Sequence, residues 1–166
     1  DRAVVDLQPM MEGDAAALAA IEETRVDLRG GALRIATPRS SGVGIFGRSP
    51  AILVRVTVPT DTAVDAATGS AGIRIDGSVR AIDVQTGSGD LVAGSCGEVR
   101  VRTGSGSVDI DEVRAASVKS GSGDITIGRS AGGVELHSAS GDVRVGEVGG
   151  DAEPGLLDAV ARGYAC

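Results

Sequence analysis

The sequence predicts an all-β fold: a single-stranded parallel β-helix (solenoid) with rungs of 17–18 residues and short terminal helices as caps. Three observations predict it. The first is a near-identical block that recurs as TGSGD at Thr86–Asp90, TGSGS at Thr103–Ser107, SGSGD at Ser120–Asp124 and SASGD at Ser138–Asp142. The spacings are 17, 17 and 18 residues, and a weaker copy, TGSAG at Thr68–Gly72, lies another 18 residues upstream. A period this short cannot hold two helices and fits one rung stacked only on its neighbours. The second is the apolar/polar alternation that follows each block. The third is composition: 26 of 166 residues are Gly, and Phe46 and Tyr164 are the only aromatics. The core must then be built from Val, Ile, Leu and Ala, which suits a narrow interior of stacked aliphatics.

Taken in order, Val4–Leu7 reads as a short strand. Asp14–Glu23 is Ala-rich and reads as a helix that Asp14 can cap. Arg25–Leu28 and Leu33–Ala36 flank Gly30-Gly31 and read as a hairpin. Pro38–Pro50, with Phe46, is a polar glycine-rich loop; it reads as a plain surface loop and is the best candidate for a mobile contact segment. In Ile52–Val58 the residues Ile52, Val54, Val56 and Val58 share one face, and Pro59 ends the strand.

From Thr68 the rungs begin. Ile73/Ile75, Leu91/Ala93, Val108/Ile110, Ile125/Ile127 and Val143/Val145 are the expected inward pairs of one strand. Ile82/Val84, Val99/Val101, Ala116/Val118 and Val134/Leu136 are those of a second, with Asp83, Arg100, Ser117 and Glu135 outward. Gly87, Gly89, Gly104, Gly106, Gly121, Gly123 and Gly141 mark the turns, where positive φ is expected to require glycine. Pro154 suits the first turn of a C-terminal helix over Gly155–Tyr164. That helix, and the N-terminal helix or hairpin, would cover the open coil ends. Residues 1–166 thus read as one domain: 1–60 an irregular N-terminal cap, 68–150 the regular rungs, 151–166 a helical cap.

The formal net charge is −7, which argues against nucleic acid as a partner. No apolar run approaches the roughly 18 residues of a spanning helix, and no signal-peptide pattern opens the chain. No membrane insertion by this segment is expected. Two cysteines, Cys96 and Cys166, make no disulfide framework.

Candidate chemistry is sparse. The Asp90, Asp124, Asp142 column could suggest calcium, but the period is wrong for a calcium β-roll and Ser107 breaks the column; each Asp is expected to cap its own turn. His137, Ser138, Ser140 and Asp142 include the residue types of a hydrolase triad, yet they are neighbours on one strand and turn. No metal or cofactor is expected. Gln85, Arg102, Lys119 and His137 fall at equivalent rung positions. This ladder could meet an anionic glycan or lipid headgroup, but it reads first as a solvated face paired with Arg100, Glu135 and Asp83. Thr86, Thr103, Ser120 and Ser138 form a hydroxyl column, expected at an inner corner as a hydrogen-bonded turn ladder. Cys96 falls where other rungs carry Ser78 beside Val79, Val113, Ser130 beside Ala131, and Val148, and reads as a small core residue.

The repeated TGSGD-type turns, with short Val/Arg/Asp strands and the preceding ILVRVTVP strand, resemble the bacterial adhesin-like β-strand-repeat domain over roughly Arg25–Gly150. That is a domain of unknown function similar to auto-transporter adhesin head domains. The resemblance implies a right-handed coil and no known catalysis. The expected function is a non-catalytic structural or interaction module that presents a solenoid face to a protein or cell-envelope partner. The expected setting is a soluble domain, with the cytoplasm favoured over an extracytoplasmic or cell-surface position. One alternative is a self-assembling polymer joined through its coil ends, as in bactofilin-type proteins. The other is a carbohydrate-active β-helix enzyme, which the scarcity of aromatic sugar platforms disfavours.

Overall fold

The computed structural model describes residues 3–12, 14–37 and 52–149. The Pro38–Pro50 loop and the expected 151–166 cap lie outside the described residues. The chain opens with β1 (Val4–Pro9), α1 (Ala15–Glu23), β2 (Arg25–Arg29), β3 (Ala32–Ala36), β4 (Ile52–Thr57) and β5 (Ala63–Thr68). Three long strands follow: β6 (Gly72–Thr86), β7 (Leu91–Thr103) and β8 (Val108–Ser120). Then come β9 (Ile125–Ser130), β10 (Val134–Ser138) and β11 (Val143–Val148). The parallel coil makes about five turns.

Each long strand bends once and serves two faces. On the first face β4, the leading part of β6, β7 and β8, then β9 and β11 stack in parallel. On the second, β3, β5, the trailing parts of β6, β7 and β8, and β10 stack in parallel. In β6 the bend falls at Gly77, whose φ of +104° is left-handed and open to glycine. The parallel stacking therefore begins at β3 and β4, earlier than the repeat alone signals.

Alternation fills the interior as expected. Val54, Ile73, Leu91, Val108 and Ile125 form one buried column and Val64, Ile82, Val99 and Ala116 face it from the other sheet. Each fully buried Val, Leu or Ile contributes roughly 1.5–3 kcal/mol. A third column, Val79, Cys96, Val113 and Ser130, fills the corner between the faces.

At the N-terminal end the stack finishes in reversed strands. β1 runs antiparallel on β4, and β2 antiparallel on β3. The β2–β3 turn uses Gly30 and Gly31 at φ of +58° and +76°, the pattern a two-residue hairpin needs. Between β1 and β2 lies α1, capped by Asp14, whose carboxylate accepts the Ala16 and Ala17 N–H groups. Ala17 and Ala20 of α1 are buried in the core. Helix and hairpin thus both lie at this end.

The turn glycines correct an expectation. None of Gly87, Gly89, Gly104, Gly106, Gly121, Gly123 and Gly141 has positive φ; among the described glycines only Gly30, Gly31 and Gly77 do. Their necessity is packing between rungs. A Cβ on Gly104 would lie 2.5 Å from the Gly87 carbonyl oxygen, and one on Gly106 would overlap the Gly89 carbonyl outright. The rungs stack so closely at this corner that a methyl group has no room. The first glycine is the more permissive, since Ala139 takes its place in the last block.

Candidate functional site

The parallel register lines up equivalent residues of successive rungs about 4.8 Å apart. On the outer side of the second face it pairs Gln85 with Arg102, Arg102 with Lys119, and Lys119 with His137. All four are exposed. Two residues earlier along the strands runs Asp65, Asp83, Arg100, Ser117 and Glu135. A further two residues back lie Ala63, Ala81, Glu98 and Ala115, short side chains except for Glu98. The low row leaves a groove of about 1010 Å³, open to solvent, whose polar lining includes Asp65, Asp83, Arg100, Lys119, Glu135 and His137. On the other side of the ladder a second hollow of about 520 Å³ runs between Gln85, Arg102 and the glycine turns.

The expected pairing across this surface is not found. Among the described residues no ion pair joins Arg100, Arg102 or Lys119 to an acid. Glu135 instead accepts a 3.4 Å bond from Ser117 Oγ. Exposed charges gain at most about 1 kcal/mol from pairing, too little to hold every long side chain on its neighbour. Elsewhere most described cations pair, Arg25 and Arg80 excepted. Arg34 meets Asp65, Arg55 and Arg74 share Asp76, Arg114 meets Glu98, and Arg129 lies between Glu112 and Glu147. Glu147, through its hydrogen bond and then its charge, holds the Arg129 guanidinium above its ordinary pKa.

The other polar residues singled out in the sequence serve the stacking. Thr86, Thr103, Ser120 and Ser138 are buried, and each hydroxyl accepts the N–H of the second turn glycine: Gly89, Gly106, Gly123 and Gly141 at 2.8–3.0 Å. Ser138 Oγ also donates to the Gly123 carbonyl at 3.1 Å, so its hydroxyl is fully engaged beside the exposed His137. The aspartates do not cap their own turns. Asp90 and Asp124 each accept a backbone N–H from the following rung, while Asp142 pairs with Arg144. Among the described residues no three His, Cys, Asp or Glu side chains cluster as a metal site requires. Burial, and after it the Asp111 carboxylate, push the Cys96 thiol up to about 12. No described helix is long and apolar enough to cross a membrane.

Sequence reasoning missed two parts of this surface. Arg100 was assigned as a partner of the ladder, whereas it adds to its charge. The strand β5, which supplies Asp65, went unread because Ala dilutes its alternation. The signal was present: Ala63–Thr68 aligns with Ala81–Thr86 at the same 18-residue spacing.

These features define a class: a parallel β-solenoid repeat protein that finishes at its N-terminal end in antiparallel strands and a helix. Within that class the chain belongs to the Toastrack DUF4097 family, a domain of unknown function, whose profile matches residues 16–153. No curated protein and no solved structure matches the chain. The family carries the β-solenoid fold and no assigned partner; an adhesin role is not part of what it establishes.

Proposed function

We propose that the chain is a non-catalytic interaction module whose working surface is the outer side of the second face. The observation that carries this reading is the contiguous group Arg100, Arg102 and Lys119, exposed on adjacent rungs and outside every ion pair of the described residues. On a chain of formal net charge −7, these three cations form a short positive strip along the ladder, beside the acids Asp83 and Glu135 of the groove. That favours docking of a surface bearing anionic groups. The rigid coil fixes the spacing of the charges, and the adjoining groove admits a partner that projects beyond a flat surface. A cell-envelope polymer or an acidic protein face has this chemistry, and an adhesin-like role would be one form of it.

The absence of catalysis is part of the proposal. It is supported by the engagement of the groups that could react: the Ser138 hydroxyl is held in the turn, the Cys96 thiol is buried and protonated, and Asp90 and Asp124 hold the next rung.

The test uses immobilised dextran sulfate as a polyanion probe. The chain should bind at low salt and release as salt screens the patch. The variant Arg100→Gln, Arg102→Gln, Lys119→Gln should keep its circular dichroism and lose at least tenfold in affinity. Equal binding by the variant, or turnover of a polysaccharide or ester by the purified chain, would overturn the reading.

A further inference from the structure

We infer that the chain forms a closed two-fold dimer by antiparallel pairing of β2 with β2 of a second copy. Among the described residues β2 is the last strand of its face, and nothing pairs with its outer edge. An unpaired edge presents a row of free N–H and C=O groups, a template for another strand. Of the other terminal strands, β1 at the same end finishes in Pro9, which lacks a donor and blunts pairing, while β10 and β11 lie at the opposite end of the coil. The edge of β2 has no proline and no bulge against β3.

The apolar residues of β2 point the same way. Val26 lies opposite Ile35 and Leu28 opposite Leu33, both buried at 2% and 1% exposure, yet Val26 and Leu28 are themselves 44% and 52% exposed. They continue the core column past the described residues that cover it. Leu18 of α1, half exposed on the same cap, adds to this apolar end. With Leu28 on a two-fold axis, a second copy of β2 would extend the hydrogen-bond ladder and set Leu28 on its own copy, with Val26 opposite the second copy's Gly30.

Charge identifies the occupant as a second copy. The other side of β2 carries Arg25, Asp27 and Arg29, alternating in sign. Antiparallel pairing with Leu28 on the two-fold axis sets Asp27 opposite Arg29 of the second copy, and Arg29 opposite its Asp27. The surface is thus complementary to itself, as an isologous interface requires. Within one chain Asp27 and Arg29 already meet at 3.0 Å, so the dimer would join two such pairs into one alternating network. Because β2 faces β2, this interface is used up in a pair and cannot propagate.

The experiment is light scattering on a sizing column with the full chain, up to about 1 mM, where even a millimolar Kd registers. A mass that rises to twice the monomer and stays there is expected. Asp27→Arg and Arg29→Asp should each remain monomeric, because each sets like charges opposite one another. Mixed in equal amounts, the two variants should recover the dimer, since each then supplies the sign the other lacks. A monomer mass for the unmodified chain at every concentration would overturn the inference. So would a dimer that persists in either variant alone, a failure of the mixture to pair, or a mass that grows without plateau.

Discussion

Asp90 reaches across a full rung: its Oδ1 accepts the backbone N–H of Ser107 at 2.9 Å. Asp124 does the same to Asp142, also at 2.9 Å. At Asp90 and Asp124 the carboxylate just after the turn is therefore a staple between successive rungs. Replacing Asp124 by Ala should lower the unfolding free energy by about 0.5–1.5 kcal/mol, the worth of a typical hydrogen bond, since this one is exposed to solvent. Asp124→Asn, which keeps an acceptor, should recover most of it, and added calcium should leave the unfolding midpoint of the parent chain unchanged. Urea titration of the three proteins checks all of this.

The glycine columns give a sharper contrast. Gly106 lies against the Gly89 carbonyl with no room for a Cβ, whereas a Cβ on Gly133 would meet nothing within 4 Å. Gly106→Ala should destabilise by about 1–3 kcal/mol or more through overpacking. Gly133→Ala should be neutral or stabilise by up to about 1 kcal/mol through the unfolded chain. Equal effects of the two in thermal unfolding would refute the packing explanation.

The hydroxyl column predicts a polar penalty with little change of shape. Thr103 Oγ1 accepts the Gly106 N–H at 2.9 Å in a buried corner. Thr103→Val leaves that donor without a partner and should cost about 1–3 kcal/mol. Thr103→Ser should cost much less, since Ser120 and Ser138 fill the same position. Comparison of the two variants in denaturant separates the hydrogen bond from the methyl packing.

Cys96 makes stability depend on pH at the alkaline end. Its thiol is raised from 9.0 to about 12 by burial and by Asp111, so the folded chain keeps a proton that the unfolded chain releases. The contribution is fully present below about pH 9 and is lost as pH rises toward about 12. Cys96→Val, which copies its column neighbours Val79 and Val113, should fold as stably at neutral pH and lose less stability over that alkaline range. In a Cys166→Ser background, Cys96 should resist a thiol reagent near pH 8 until denaturant is added.

How much was legible in the sequence follows from which forces leave a periodic trace. The inward pairs from Ile73 to Ile127 were readable because alternation and a 17–18-residue period both report burial in a stacked coil. The strand β5 was not, because Ala63, Ala66 and Ala67 weaken the alternation that marks a strand. The glycines were recognised as turn residues with the wrong cause: a sequence shows that a side chain is missing, not whether φ or a neighbouring carbonyl forbids it. The ladder of Arg102, Lys119 and His137 was visible from rung alignment. Whether Arg100 opposed or reinforced it depended on side-chain pairing, which spacing does not encode.

The most direct measurement is an NMR titration of the labelled chain with a short sulfated oligosaccharide. Chemical-shift changes are expected to centre on Arg100, Arg102, Lys119 and His137, with Arg55 and Arg74, which share the Asp76 carboxylate on the first face, left unmoved. Shifts centred on Arg55 and Arg74, or spread evenly over the arginines of both faces, would contradict it.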